Sequence, residues 1–397
     1  MGRYRKRLLL GLVLVVLLSQ IPFAYRRLQL ARLSTAIKNL ESQRQPTTEN
    51  EFKEYKGVIH VHSFLGGHST GTFQELIAAA SDNKLDFVLM TEHVAKEFDS
   101  AEMTLKGLHE GVLFVNGSEV AAENGGRLLV IPGESNESTP PSEVSEREHA
   151  LVIVAYPEQF RSWDSREYDG IEIFNIYTSA QNINRLVMFL DGLWSYRSYP
   201  DLLFARMYAR PDDNLARWDS ETRTSRRKIV GIAGNDAHSN IGISLNDSSG
   251  NQLLGMKLDP YQRSFRLVRV HVLLGKDVVL DQATLLSAIK SGHCFVGFDV
   301  FGDSSGFRFE AVNKTARHLM GDEITFDEDL KLKVTVPIPA RVVLMKDGAV
   351  FREKVNTLQL DEAVTEKGSY RIEVYLPQLG ELVGSKPWIV SNPIYVR

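Results

Sequence analysis

Six residues at four separated points of the chain have types and spacings that suit a divalent metal ion: His60 and His62 in HVHS, His93 in TEH, Glu119 in NGSEV, and Asp236 with His238 in GNDAH. Residues two apart on a β-strand leave the same face, so His60 and His62 aim both imidazoles one way, and Asp236 with His238 repeats that interval. Two neutral imidazoles converging at a strand end, with carboxylates nearby, are the donors a transition metal takes up. Taken singly, each residue has an ordinary alternative: His93 as a helix cap, Glu119 as a solvated loop acid, Asp236 as the N-cap of the next segment. Jointly they are harder to explain that way, because each falls at the end of an apolar run. Cys294 is the only cysteine, which excludes an intrachain disulfide and a thiolate cluster. Any metal must therefore be held by His, Asp and Glu.

The elements that position these residues read as alternating strands and helices. Val58 and Ile59 are β-branched and lead into HVHS, followed by a Ser-Gly-His-rich loop. Thr72 to Asn83 (TFQELIAAASDN) predicts a helix with Thr72 as N-cap and Glu75 as its capping-box partner. Apolar strands follow at DFVLMTEH, VLFVNGSEV, Leu128 to Ile131, Leu151 to Ala155, Ile171 to Ile176 and Ile229 to Ala233. Polar residues gathered at the C-terminal ends of such strands predict a parallel α/β barrel, although an open doubly wound sheet also fits. No glycine-rich phosphate loop follows the first strand, so dinucleotide binding has no support.

The 397 residues exceed one ordinary core, and the net charge of −4 gives no electrostatic footprint for nucleic acid. At the N-terminus, Arg3, Arg5, Lys6 and Arg7 precede a charge-free run from Leu8 to Tyr25. Eighteen residues at about 1.5 Å each just cross a bilayer core. The basic residues before the run favour a body outside the cytoplasm, while Arg26, Arg27 and Arg32 beyond it weaken the asymmetry; an uncleaved anchor is favoured over a cleaved signal peptide, which would leave a secreted or periplasmic body. Residues 1–25 are thus read as anchor or signal, and 26–54 as a stalk helix and linker. Residues 55–303 form the metal-bearing domain. After Asp299 short alternating strands separated by turns, among them Asp347-Gly348, predict a small antiparallel β-sandwich over 304–397. An aromatic-rich insertion, Asn184 to Trp218, falls between two motif-bearing strands, where a substrate-covering lid would be inserted. His271 alternates within FRLVRVHVLL and reads as a packed histidine.

The order HVHS, helix, TEH, Glu after the third strand and GNDAH resembles the PHP (polymerase and histidinol phosphatase) superfamily of metal-dependent hydrolases, and the layout is similar to its carbaryl-hydrolase-like branch. The resemblance covers roughly Tyr55 to Asp299. It implies a distorted (β/α)7 barrel holding two or three zinc, manganese or iron ions. His60, His62, His93, Glu119, Asp236 and His238 would be ligands, Glu119 bridging, with Glu119, Asp236 and His238 closest to the chemistry. The implied reaction is hydrolysis of a small-molecule ester, most simply a phosphoester. A carbamate, amide or carboxyl ester hydrolase on the same site, and a non-catalytic metal-containing module binding an envelope component, are the alternatives. This chain departs from the family pattern in two places. Gly66, Gly67 and His68 stand where an early Asp is usual, and Tyr156 precedes Pro157 where His-Pro is common. His68 or His149 is the candidate replacement donor, and Glu172 and Asn175 in GIEIFN are candidates to support the ligands from behind.

Overall fold

The structure is a computed structural model describing residues 2–46, 51–123, 125–133, 141–165, 167–181, 184–240, 242–246, 252–257 and 259–397. Its first element is one uninterrupted helix, α1 (Gly2–Glu41), which passes through Pro22 without a break. The first half is apolar and exposed, and from Tyr4 to Glu41 the helix is long and apolar enough to cross a membrane. Its second half behaves differently. Leu30, Leu33 and Leu40 are buried against the body, Arg26 pairs with Asp191 at 2.6 Å, and Glu41 accepts from the Asp303 N–H at 2.8 Å. The segment read as a stalk helix is docked along this half, because its leucine spacing presents an apolar face that the body covers.

Strand β1 (Phe52–Val61) is followed by α2 (Phe73–Asp82), whose N-terminus carries the expected Thr72–Glu75 capping box. Then come β2 (Phe87–Met90), its continuation β3 (Glu92–His93), β4 (Val112–Val115) and its continuation β5 (Ser118–Ala121). These strands are parallel: β1 pairs with β2, β2 with β4, and β3 with β5. The next strand, β6 (Arg127–Ile131), runs the other way, antiparallel both to β5 and to β7 (Leu151–Ala155). Strict strand–helix alternation predicts a parallel neighbour here. Too few residues lie between Ala121 and Arg127 for a crossover helix, and Gly125 and Gly126, with φ of 94° and 86°, turn the chain straight back. Parallel pairing resumes from β7 to β8 (Gly170–Asn175) and from β8 to β9 (Val230–Gly234), with helix α3 (Arg185–Ser195) lying between those two strands in the chain. Past β9 the backbone returns to β1: Asn235 N–H donates to Ile59 O at 2.9 Å, and His62 N–H to Ala237 O at 3.0 Å. The run of strands thereby closes on itself around apolar side chains such as Ile59, Leu89, Leu129, Ile153 and Ile232.

The N-terminal half of β1 has another partner, antiparallel β10 (Arg269–Gly275), which pairs with β11 (Cys294–Gly297). Beyond lie the antiparallel strands expected at the C-terminus: β12 (Arg308–Val312), β13 (Lys331–Lys346), β14 (Ala349–Ala363), β15 (Gly368–Tyr375) and β16 (Pro387–Ser391). Because Phe295 of β11 pairs with Ser391 of β16, hydrogen bonding runs from β1 through to these strands without a gap. One apolar cluster likewise joins Phe174 and Phe298 to Phe309, Leu344 and Trp388. The change of strand character near residue 303 does not coincide with a break in the sheet.

Candidate metal centre

The six donors named from sequence converge at one end of the closed run of strands. His60 lies where β1 slips register against β2, between Ile59 and Val61, and takes φ 67°. A bulge of this kind re-aims a side chain. The two-residue spacing therefore does not act as in a regular strand, yet the His60 and His62 ring centroids still lie 5.1 Å apart. His93 ends β3 directly opposite Glu119 of β5, because those strands pair in parallel with His93 against Glu119. Asp236, just beyond β9, also adopts a left-handed φ of 46°. Non-glycine residues held at positive φ are strained, and such strain concentrates where side-chain placement is overdetermined.

Four donor atoms form a ring. His60 Nε2 is 3.6 Å from Glu119 Oε2 and 3.5 Å from Asp236 Oδ1, and His62 Nε2 is 3.5 and 3.6 Å from the same two oxygens. These separations exceed hydrogen-bond lengths. All four atoms are buried, and each lacks a hydrogen-bond partner among the described residues. Burying unpaired polar atoms costs about 1–3 kcal/mol each, more for charged groups, so four facing one another call for a common partner. Ligands held at about 2.0–2.2 Å from one ion stand a few ångströms apart, as neighbouring donors of the ring do. His60, His62 and Glu119 form one group able to hold an ion, and His62, His93 and His238 form another. The groups share His62, whose ring stacks at 4.4 Å on His93 and 4.2 Å on His238. His93 Nδ1 is 3.1 Å from Glu119 Oε2, so that single oxygen faces three imidazoles.

Surrounding groups fix which atom His60, Asp236 and His238 offer. His60 Nδ1 is 2.8 Å from Glu172, itself held by the Asn175 amide at 2.9 Å; with the proton on Nδ1, the Nε2 lone pair faces the ring. The Tyr156 hydroxyl donates to Asp236 Oδ2 at 2.7 Å, leaving Oδ1 for the ring. His238 Nδ1 is 3.0 Å from the Asp236 carbonyl, which directs Nε2 towards His93. Buried Glu92 accepts from the Ser63 N–H and, at 2.7 Å, from Thr104, pinning the loop after β1. Electrostatics follow from the same geometry. Burial acts to lower the His60 pKa, but Glu172, Asp236 and Glu119 outweigh it and hold the metal-free group well above its ordinary value, so a cation binding at Nε2 would displace a proton. His62, with imidazoles on several sides, is pushed well below by burial and by its neighbours' charge. Burial acts to raise Glu119, yet the facing histidines and Arg127 bring it below the ordinary carboxylate value.

The remaining candidates are distributed unevenly. Exposed His68 meets His93 edge-on at 5.2 Å, beside the cluster. Tyr156 occupies the expected gap as a hydrogen-bond donor to Asp236, and both burial and that carboxylate raise its pKa further, so it stays a neutral phenol. His149 is not brought to the site. It is exposed, and its Nδ1 pairs with Ser287 Oγ at 2.7 Å, because it precedes β7 and so sits at the opposite end of that strand from Tyr156. Sequence reasoning missed Arg127, 3.7 Å from Glu119 Oε1 and half exposed. Ligands were sought at C-terminal strand ends, whereas antiparallel β6 brings its N-terminal residue to the same mouth, paired with Ala155. A lone arginine opening the otherwise apolar RLLVI was the available signal.

No protein-family model matches the chain, and no curated protein matches it by sequence. Among solved structures, it is similar to a two-domain protein from Bacteroides vulgatus containing a predicted PHP-like metal-dependent phosphoesterase. The two share 13% identity over 88% of this chain and 98% of that one, with a TM-score of 0.37.

Proposed function

We propose that the chain is a metal-dependent hydrolase of PHP type, built on a distorted (β/α)7 barrel with one antiparallel stave, that cleaves a small phosphoester. The observation that carries this reading is the buried ring of partnerless donors on His60, His62, Glu119 and Asp236. Divalent ions bound there would supply Lewis acidity, polarising a substrate oxygen and acidifying a water. The chain's own residues do the rest. Glu172 keeps the His60 proton on Nδ1, and Tyr156 orients the Asp236 carboxylate. His93 and His238 are the ligands with partial solvent access, at 20% and 15% side-chain exposure, and mark the side from which substrate enters. Arg127 at that mouth favours an anionic substrate, which is the reason to rank phosphoesters above carbamates, amides and carboxyl esters. Phosphoryl transfer also depends more on positioning and charge neutralisation than on a protein nucleophile, and Cys294, pushed up to about 12 by burial, offers none.

The apolar first half of α1 supports a body tethered to a membrane, and the basic residues that precede it favour the extracytoplasmic side. Elemental analysis of the purified full chain, with a screen of phosphomonoesters, phosphodiesters and carboxyl esters, tests the reading. Stoichiometric zinc, manganese or iron with phosphoester turnover is expected. A folded protein that takes up no metal and turns over none of these substrates would overturn it, and carboxyl ester turnover alone would favour the carbonyl alternative.

A further inference from the structure

Helix α3 is built inside out. Its polar Asp191 and Ser195 are buried, at 3% and 1% exposure, while Leu186, Phe189, Leu193 and Trp194 are exposed, at 66%, 48%, 69% and 37%. Those four lie at i, i+3, i+7 and i+8, a single stripe along the helix. A helix on a water-facing surface shows the reverse pattern, and an apolar stripe turned outward marks an interaction surface. What covers it follows from where α3 is docked. Asp191 pairs with Arg26 at 2.6 Å, the Trp194 indole N–H donates to Gln20 at 3.0 Å, and Arg27 reaches the Trp194 carbonyl and, at 3.0 Å, Ser198. Gln20 to Arg27 is the stretch in which the apolar run of α1 gives way to arginines. In a bilayer-crossing helix that transition sits at the headgroup level, where tryptophan and arginine are enriched. The exposed stripe of α3 is thus held beside the end of the membrane-spanning segment.

We propose that α3 lies in the bilayer interface as a second membrane contact, its Leu186–Phe189–Leu193–Trp194 stripe buried in the lipid into which α1 inserts. The proposal rests on the reading of α1 as an anchor. It gives the docked half of α1 a purpose: two contacts, one spanning and one lying flat, fix how the body stands on the membrane. A single helix followed by a loose stalk would not. The occupant is lipid, not a second copy of the chain, because Trp194 of the stripe meets α1 at Gln20, where the membrane-crossing apolar run ends.

The test uses the full chain in nanodiscs of phosphatidylcholine, with and without brominated acyl chains that quench nearby indoles. Co-elution with the discs reports the anchor separately from α3. Comparison of wild type with W194F then isolates Trp194 from Trp163, Trp218 and Trp388. An interfacial helix sits about 5–10 Å into the headgroup boundary, so brominated lipid should remove about half or more of the Trp194 emission. Quenching that is the same in wild type and W194F, in discs that retain the chain, overturns the proposal and leaves the anchor standing. Two chains per disc with Trp194 shielded also overturn it, in favour of a second copy. Failure to co-elute overturns both readings.

Discussion

Two buried histidine–carboxylate clusters share strand β1, and they differ in how their donor atoms are satisfied. Around His60, donor atoms face one another at 3.5–3.6 Å without hydrogen-bond partners among the described residues. Around His271, also fully buried, both ring nitrogens are engaged. Nδ1 lies 2.8 Å from Glu54, and Nε2 is 3.0 Å from Ser304 Oγ and 3.3 Å from Asp299. Glu54 accepts in turn from Gly306 N–H and Arg308, and Asp299 accepts from Ser304 at 2.7 Å and pairs with Arg269. Each cluster sets a fully buried histidine against carboxylates, and the second adds Arg269 and Arg308. Satisfied lone pairs make the second cluster a strut between β1, β10 and the segment around residue 304, whereas unsatisfied ones make the first a candidate metal site. Histidine and carboxylate burial alone therefore does not identify a metal centre.

The largest expected effect comes from deleting a donor at the first cluster. His60→Ala or Asp236→Asn should abolish stoichiometric metal and lower phosphoester turnover by about a hundred- to a thousandfold or more, while circular dichroism stays native. Retention of both metal and turnover in either variant would erase the distinction between the clusters.

The converse change at the second cluster should spare the metal and cost stability. His271→Ala removes a partner shared by Glu54 and Asp299 while Arg308 and Arg269 remain on them, a loss of about 1.5–3 kcal/mol by denaturant titration. This contribution has a pH signature. Burial acts to lower His271, but Asp299 and Glu54 override it and raise it to about 9; Asp299 is depressed, burial opposing and His271 and Arg269 prevailing. A raised histidine stabilises fully below its unfolded pKa of about 6.5, and that contribution fades as pH climbs through about 9. The depressed Asp299 contributes above its unfolded value of about 3.9 and loses that on acidification. The stability gap between wild type and His271→Ala should accordingly narrow from pH 6 to pH 10. A gap independent of pH would mean that the cluster is held by packing instead of charge.

Smaller effects are expected from residues that only orient the donors. Glu172→Gln keeps the shape but weakens the hold on the His60 Nδ1 proton, so metal affinity by competition with a chelator should fall about 10- to 100-fold. Tyr156→Phe removes one hydrogen bond to Asp236, worth about 1 kcal/mol, and should weaken affinity several-fold. An unchanged affinity in Glu172→Gln would show that the bulged backbone at His60 sets the ring orientation by itself.

The sequence alone determined the donor types, their order along the chain, the apolar N-terminal helix, the Thr72–Glu75 cap and the antiparallel character of the C-terminal strands. All of these are local: a pattern of residues within one element specifies them. Which donors meet, and how, was decided by tertiary structure. His149 and Tyr156 flank the same strand, and only its direction in the sheet determines which one faces the site. Arg127 entered because β6 runs against its neighbours, a consequence of the tight Gly125-Gly126 turn that a strand–helix reading passes over. Likewise, nothing in HVHS or in RVHVLL distinguishes the two histidine clusters. Their difference lies in partners 112 and 217 residues away, Glu172 for His60 and Glu54 for His271, and in whether the second ring nitrogen finds one. Hydrogen-bond satisfaction is a property of the assembled neighbourhood, and it appears only once the strands have closed around it.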